Sequence, residues 1–130
     1  MEKMTLKYQA NHDEVKKVEQ PSLDLIISTI RNLNNEDRLF CILISESGNF
    51  VQCAGDSQYQ IVEYQEVLNN DDIRHYQLEI PRKGWRKLLF GNEDVLETEH
   101  TIQIFTHFYQ HGTVPSFYHQ KDITKHVVRK

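Results

Sequence analysis

The feature that most constrains the fold is the apolar run at residues 39–44, inside the segment RLFCILIS. The run is apolar at both odd and even positions, whereas a strand with one face in water alternates apolar and polar residues. It therefore predicts a central strand that is covered on both sides. The turn residues ESGN at 46–49 lead into a second apolar segment at 50–54, so the two segments are predicted to form a hairpin.

Other segments predict further strands around this hairpin. Residues 4–8 alternate apolar and polar side chains and predict a first strand, whereas the charged stretch 11–20 is typical of a solvated connection. Residues 59–65 and 73–80 predict two more strands of an antiparallel meander. A last strand is predicted at 113–119, with Pro115 marking an edge or an irregular entry.

Two segments have helical periodicity. After Pro21 and Ser22, which suit a helix start, apolar residues recur at intervals of three and four through Leu33. Residues 98–111 repeat the pattern, and Gly112 stands where a helix commonly ends. The predicted fold class is therefore α+β, an antiparallel meander sheet of four to six strands with two main helices packed against it.

The length of 130 residues predicts a single domain, with a basic tail from about residue 121 that is expected to be flexible. Cys41 and Cys53 lie in strand-like segments and are expected to be reduced core thiols. The N-terminal residues have no apolar signal region, and the longest apolar run is far shorter than the roughly 20 residues that cross a bilayer. We therefore expect a cytoplasmic protein without membrane contact.

The order of these parts resembles bacterial immunity protein family one. The residues that carry the resemblance are FYQHGTVP at 108–115, the aromatic pair Phe117 and Tyr118, and the hairpin around Gly48. Members of this family accompany polymorphic and contact-dependent growth-inhibition toxins. The resemblance implies a cytoplasmic protein that neutralises one cognate toxin domain, often a nuclease, and it implies no catalytic residues.

The sequence gives little support to catalysis or cofactor binding. His107 and His111 have the spacing of a helical metal pair, with His100 nearby, but Phe108 occupies the position where HEXXH places its glutamate. The glycines form no phosphate-binding motif, and no serine lies in a nucleophile elbow. We therefore predict no enzyme activity, no metal and no cofactor.

The charge is uneven along the chain. Residues 36–80 hold nine acidic side chains against Arg38 and Arg74, whereas residues 100–130 hold one acid against four bases. Acidic side chains interleaved with tyrosines suit a surface that meets a basic protein, because charge speeds encounter and aromatic rings anchor the complex. The predicted partner-binding residues are Asp56, Tyr59, Glu63, Tyr64, Glu66, Asp71, Asp72, Tyr76 and Glu79.

Three alternatives stay open at this point. Residues 82–87 (RKGWRK) have the composition of a nucleic-acid contact, although the net charge of −4 and the pI near 5.9 oppose direct nucleic-acid binding. A small-ligand protein or enzyme would have a pocket between the sheet and the second helix. An adaptor domain in a larger complex would differ from a toxin inhibitor only in its partner. The favoured hypothesis is a monomeric immunity protein that covers the active surface of a basic toxin C-terminal domain.

Overall fold

A computed structural model describes residues 2–126 of the chain, and it contains one large sheet and three α-helices. The strands are β1 (Met4–Asn11), β2 (Glu14–Glu19), β3 (Phe40–Ser45), β4 (Phe50–Gly55), β5 (Tyr59–Asn69), β6 (Asp72–Glu79), β7 (Leu96–Glu97) and β8 (His119–Asp122). The helices are α1 (Leu23–Arg31), α2 (Gly84–Phe90) and α3 (Thr98–His111), and a 3-10 turn covers Thr124–His126.

The sheet is antiparallel throughout, in the order β2-β1-β3-β4-β5-β6-β8, and the short β7 pairs with the beginning of β5. From β3 to β6 the strands follow one another as the predicted meander. The α+β class is confirmed, but the sheet has eight strands where four to six were predicted.

Both long helices contribute to one core on one side of the sheet. Ile26 and Ile30 of α1 and Phe105 and Phe108 of α3 are fully buried in that core. The strands contribute every second residue, as in the alternation of buried Cys41 and Leu43 with half-buried neighbours along β3. Apolar burial of this kind supplies the main favourable free energy of folding.

Local chemistry fixes the start of α1 and the end of α3 as the sequence predicts, whereas α1 ends at Arg31 rather than after Leu33. The Ser22 Oγ accepts a hydrogen bond from the Leu25 N–H at 3.1 Å, which satisfies an otherwise free donor at the start of α1. At the end of α3, Gly112 adopts a left-handed conformation with φ 74° and donates its N–H to the Phe108 carbonyl at 2.7 Å. The helix predicted at 98–111 is confirmed to the residue.

The expectation that residues 39–44 are covered on both sides is wrong. The segment is an internal strand of the sheet, but Leu39 is 41% exposed and only alternate residues of β3 are buried. The side chains of Phe40, Ile42 and Ile44 point away from the helices and lie outside the core. An apolar run marks an internal strand, but it does not show whether a second layer exists.

Three boundaries also differ from the predictions. Residues 14–19 form strand β2 rather than a connection, because they continue a hairpin from β1 with Leu6 opposite Val18. Residues 113–118 are a loop, and the last strand is β8, which pairs with β6. Part of the predicted flexible tail is thus ordered in β8 and the 3-10 turn, while residues 127–130 lie outside the described part of the chain.

Cys41 and Cys53 face each other across β3 and β4. Both thiols are buried and free, and their Sγ atoms are 3.4 Å apart. The hydrogen bond with Cys53 and the burial raise the pKa of the Cys41 thiol well above its ordinary value. The Cys41 thiol therefore stays protonated within the core.

Gly55 ends β4 in a conformation that another residue cannot adopt without strain. Its φ is +150°, and an added Cβ would collide with the Tyr59 carbonyl oxygen and lie 2.9 Å from the Gln60 Cα.

Gly55→Ala should lower the free energy of unfolding by about 3 kcal/mol, measured by urea denaturation. Gly84→Ala is the matched control, because Gly84 also has a positive φ but no atom within 4 Å, and it should cost only about 1 kcal/mol. Equal losses for the two variants would contradict the steric argument.

Candidate partner-binding surface

The nine residues predicted to bind a partner do not form one continuous surface. The side of the sheet that carries α1 and α3 is called the helix side, and the opposite side is called the open face. Four of the nine lie on the helix side, namely Tyr64, Glu66, Asp72 and Tyr76. Three lie on the open face, namely Tyr59, Glu63 and Glu79. The other two are the turn residues Asp56, before β5, and Asp71, after it.

Tyr64 is a core residue, so its predicted role as an accessible anchor is wrong. Its side chain is 2% exposed, and its ring packs edge-on against Phe108 at 6.3 Å and stacks on Tyr76 at 6.1 Å. Burial raises the pKa of Tyr64 to about 12, with a smaller contribution from the negative charge of Glu66. The Tyr64 hydroxyl donates to the Glu66 carboxylate at 3.5 Å and stays protonated at neutral pH.

The helix-side residues near Tyr64 form a partly neutralised acidic corner. The Arg74 guanidinium lies 2.9 Å from the Asp72 carboxylate and 3.7 Å from that of Asp122. Hydrogen bonds from the Thr124 hydroxyl, at 2.5 Å, and from the Thr124 N–H, at 2.9 Å, lower the pKa of Asp122. Sequence reasoning missed Asp122, because it stands in a segment whose charge pattern is basic.

Asp56 has a structural role in the turn between β4 and β5. Its carboxylate accepts the backbone N–H groups of Tyr59 at 2.9 Å and Gln58 at 2.8 Å, and these bonds lower its pKa. Its carbonyl accepts the side-chain amide of Gln60 at 2.6 Å. The charge of Asp56 is thus used locally to hold the turn.

Gln60 is the buried polar residue that joins this turn to α3. It is 1% exposed, its Nε2 lies 2.8 Å from the Thr98 hydroxyl, and its Oε1 accepts the Thr101 hydroxyl at 2.6 Å. A fully bonded amide in a core fixes one alignment of the elements around it, since any shift would leave buried polar groups unpaired. The network therefore sets the position of α3 on β5.

The centre of the open face is apolar. Cross-strand pairing places Ala54 between Phe40 and Ile61, Ile44 beside Phe50, and Ile42 between Lys7 and Gln52. Ile61 is 44% exposed, and the other large apolar side chains of this set are half-buried. We call this set the apolar centre, and it consists of Phe40, Ile42, Ile44, Phe50 and Ile61.

Polar groups surround the apolar centre, and three of them are predicted site residues. Tyr59 is 50% exposed at the beginning of β5. Glu63 accepts a hydrogen bond from the Gln52 amide at 3.3 Å. Glu79 is largely buried, accepts the Asn92 amide at 3.4 Å and has His119 Nε2 at 3.9 Å. This side of the sheet therefore combines an apolar centre with a polar rim.

The histidines considered as metal ligands make other contacts. The His107 and His111 rings are 4.6 Å apart, but the His107 Nδ1–H donates to the Thr113 carbonyl at 2.8 Å. His100 Nδ1 is hydrogen bonded to the Tyr118 hydroxyl at 2.7 Å. Within residues 2–126, no three His, Cys, Asp or Glu side chains come together in an arrangement that holds a metal ion.

The space between the sheet and α3 is filled by side chains rather than open to a ligand. Ile104, Phe105 and Phe108 of α3 have no exposed surface, and Phe108 contacts Tyr64 of β5. A cavity of about 310 Å³ lies elsewhere, between α1 and the β1–β2 hairpin, with Tyr8, Leu25 and Arg38 in its wall. The three α3 side chains therefore leave no cavity between the sheet and the middle of α3, which is the helix where the small-ligand alternative places its pocket.

Comparisons with family models, with curated proteins and with solved structures find no match to this chain. None of the helices in the described range 2–126 has the length and apolar character that a membrane crossing requires.

The shifted pKa of Tyr64 predicts a pH dependence of stability. The unfolded chain loses this proton near pH 10, whereas the folded chain holds it to about pH 12. The contribution of the protonated hydroxyl is therefore fully present below about pH 10 and is lost as the pH rises towards about 12. Tyr64→Phe should make the fall in the free energy of unfolding over this window shallower, as measured by urea denaturation. Tyr59→Phe, at a half-exposed position, is the control, and an equal change in both variants would contradict the assignment.

Proposed function

We propose that this chain is an immunity protein that binds one toxin domain and covers its active or substrate-binding surface. The observation that carries the proposal is the open face, an apolar centre on rigid strands with a polar rim. Specific protein interfaces share this anatomy, with an apolar middle depleted of charge and a solvated edge. The apolar centre thus supplies contact area, and the rim supplies specificity.

The size of the open face suits a protein partner better than a small molecule. Seven adjacent strands at about 4.8 Å spacing give a width of roughly 30 Å, and strands of this length extend roughly 17 Å or more. One partner in a standard interface contributes about 800 Å². Small-ligand sites are concave, whereas this surface is a broad sheet face.

Tyr59 and Ile61 are the side chains on this face best suited to anchor a partner. They are 50% and 44% exposed, and they stand two residues apart on the same side of β5. Ile61 belongs to the apolar centre and Tyr59 borders it, and a few well-packed side chains of this kind contribute most of the binding free energy of an interface. Glu63 follows them on the same strand and adds the acidic character that suits a basic toxin.

The proposal also covers the location, the oligomeric state and the kind of partner. The protein acts in the cytoplasm as a monomer, without catalysis, cofactor or direct contact with nucleic acid. The resemblance to bacterial immunity protein family one supports a toxin as the partner. The acidic side chains within residues 36–80 support a basic toxin, because nucleic-acid-acting toxins carry positive surfaces that attract phosphate.

The first test concerns anchoring, and its partner is the toxin domain encoded beside the gene for this chain. Tyr59→Ala and Ile61→Ala should each raise the dissociation rate about 30-fold, which corresponds to about 2 kcal/mol. Surface-immobilised binding kinetics measure the rates, and growth rescue in toxin-expressing cells gives the biological readout. Leu68→Ala is the matched control, because Leu68 is 54% exposed near the far end of β5 and should leave both rates unchanged. Rescue with unaltered rates in all three variants would place the contact elsewhere, and failure to bind or rescue would reject the toxin hypothesis.

The second test concerns charge steering. Changing Asp71 and Asp72 to Asn should slow association several-fold at low salt and change dissociation little, because exposed charges outside the contact surface act mainly on encounter. The effect should shrink as salt rises, since exposed charges are screened beyond about 8 Å at physiological ionic strength. The same kinetic measurement at two salt concentrations checks this. A loss that is independent of salt would show that the two residues act by direct contact instead.

A further inference from the structure

Helix α2 belongs to an excursion of the chain, residues 81–92, that leaves the sheet after β6. The base of the excursion is closed by two backbone hydrogen bonds between Ile80 and Glu93, at 2.7 and 2.9 Å. The Arg82 N–H also donates to the Asn92 side chain at 3.2 Å. The base is therefore fixed, while α2 itself buries none of its residues.

The excursion exposes four large apolar side chains together. Trp85 is 64% exposed, Leu88 86%, Leu89 66% and Phe90 64%. A short helix in a folded protein ordinarily covers such residues against its own core. Exposed apolar surface of this kind marks a site that binds another protein or a membrane.

The charges next to these side chains all have one sign. Arg82, Lys83, Arg86 and Lys87 are the charged residues between Pro81 and Asn92. The Arg86 guanidinium lies 5.7 Å from the centre of the Trp85 ring, and that of Arg82 lies 5.9 Å from the centre of the Phe90 ring. The cations thus lie beside the aromatic rings. A partner that binds the rings must therefore also bind positive charge.

We propose that α2 docks on the surface of an anionic phospholipid bilayer. Trp85, Leu88, Leu89 and Phe90 enter the boundary between headgroups and acyl chains, and the four cations contact the lipid phosphates. An interfacial helix lies in the plane of the membrane surface and buries its apolar side chains to a depth of about 5–10 Å, at this same boundary. Long basic side chains and tryptophan are the residue types that stabilise this position, because each has an apolar body and a polar end.

The arrangement of the side chains favours a bilayer over a protein groove. At about 100° per residue, Trp85, Leu88 and Leu89 share one side of α2, while Phe90 projects about 100° beyond Leu89. A protein groove has a fixed shape that accepts one side of a helix, whereas a fluid lipid layer deforms to accept side chains that project in several directions. Nucleic acid is also less suited, because Leu88, the most exposed of the set, has no π-face on which a base can stack.

The net charge of the whole chain does not oppose this docking. The charged residues of the excursion itself are all positive, whereas the neighbouring acids, Glu79, Glu93 and Asp94, stand at its base. Screening beyond about 8 Å leaves the local cations in control of contact with a membrane. No residue of α2 belongs to the open face, so the inference is independent of the toxin-binding proposal.

Trp85 makes the test direct, because it is the only tryptophan in the chain. Its fluorescence emission should shift to shorter wavelength when vesicles of phosphatidylcholine with phosphatidylglycerol are added, and the protein should float with them. Vesicles of pure phosphatidylcholine should produce neither effect. High salt should weaken the binding, as expected for contact with charged headgroups.

Two variants separate the apolar and the charged contributions. Leu88→Ser with Leu89→Ser keeps the fluorophore and should abolish flotation. Arg86→Gln with Lys87→Gln should lower partitioning on the order of tenfold or more. Lys16→Gln with Lys17→Gln on β2 is the charge-matched control and should bind as the unaltered protein does. Circular dichroism verifies that each variant is folded.

Three results would overturn the inference. The first is that Trp85 emission stays unchanged with both kinds of vesicle, while light scattering detects a dimer that the Leu88 and Leu89 variant does not form. This result would assign α2 to contact with a second copy of the chain. The second is an emission shift with a single-stranded oligonucleotide but not with vesicles, which would assign it to nucleic acid. The third is equal binding to neutral and anionic vesicles, which would exclude the role of the cations. Growth rescue by the Leu88 and Leu89 variant tests the toxin proposal separately.

Discussion

Helices α1 and α3 lie on the same side of the antiparallel sheet, so that β1 and the strands from β3 to β6 are desolvated on that side. Along β3 and β4 the residues alternate between a buried position and a half-buried one, and the two long helices share the core with the buried set. The Arg31–Glu99 ion pair and the bond from the Tyr109 hydroxyl to the Pro21 carbonyl join the ends of the helices at the surface of this layer. Every other feature discussed above depends on this one-sided burial, because it leaves a whole sheet face available for contact.

An open sheet face with apolar residues in its middle has a cost in water. A second layer over this face would stabilise the protein, because each apolar group left in water forgoes burial free energy of about 25 cal/mol per Å². The groups concerned are Phe40, Ile42, Ile44 and Phe50. The surrounding polar side chains, such as Lys7 and Gln52, keep the patch from becoming continuous with other apolar surface. A surface that retains apolar residues at the expense of stability is typical of one that a partner covers.

The structure separates two kinds of exposed apolar surface. The open face is rigid, because its side chains stand on hydrogen-bonded strands in the interior of the sheet, and such a surface suits a partner of fixed shape. The excursion that contains α2 is held only at its base, and its side chains point in several directions around a short helix. That arrangement suits a deformable medium, and the two surfaces can therefore act at the same time.

The sequence by itself determined the elements whose signals are local. Ser22 and Gly112 mark the helix ends through hydrogen bonds made within a few residues, and the turn at 46–49 joins its two strands through its own backbone. The tertiary structure alone decided which side of each strand is buried. On β5 the apolar Ile61 is exposed while the polar Gln60 is buried, because Thr98 and Thr101 of α3 satisfy its amide, and the same parity puts Tyr64 in the core. Strand β2 was likewise decided by its hairpin with β1, and β8 by its pairing with the distant β6, since a weakly apolar strand is stabilised by the partner it meets and not by its own composition.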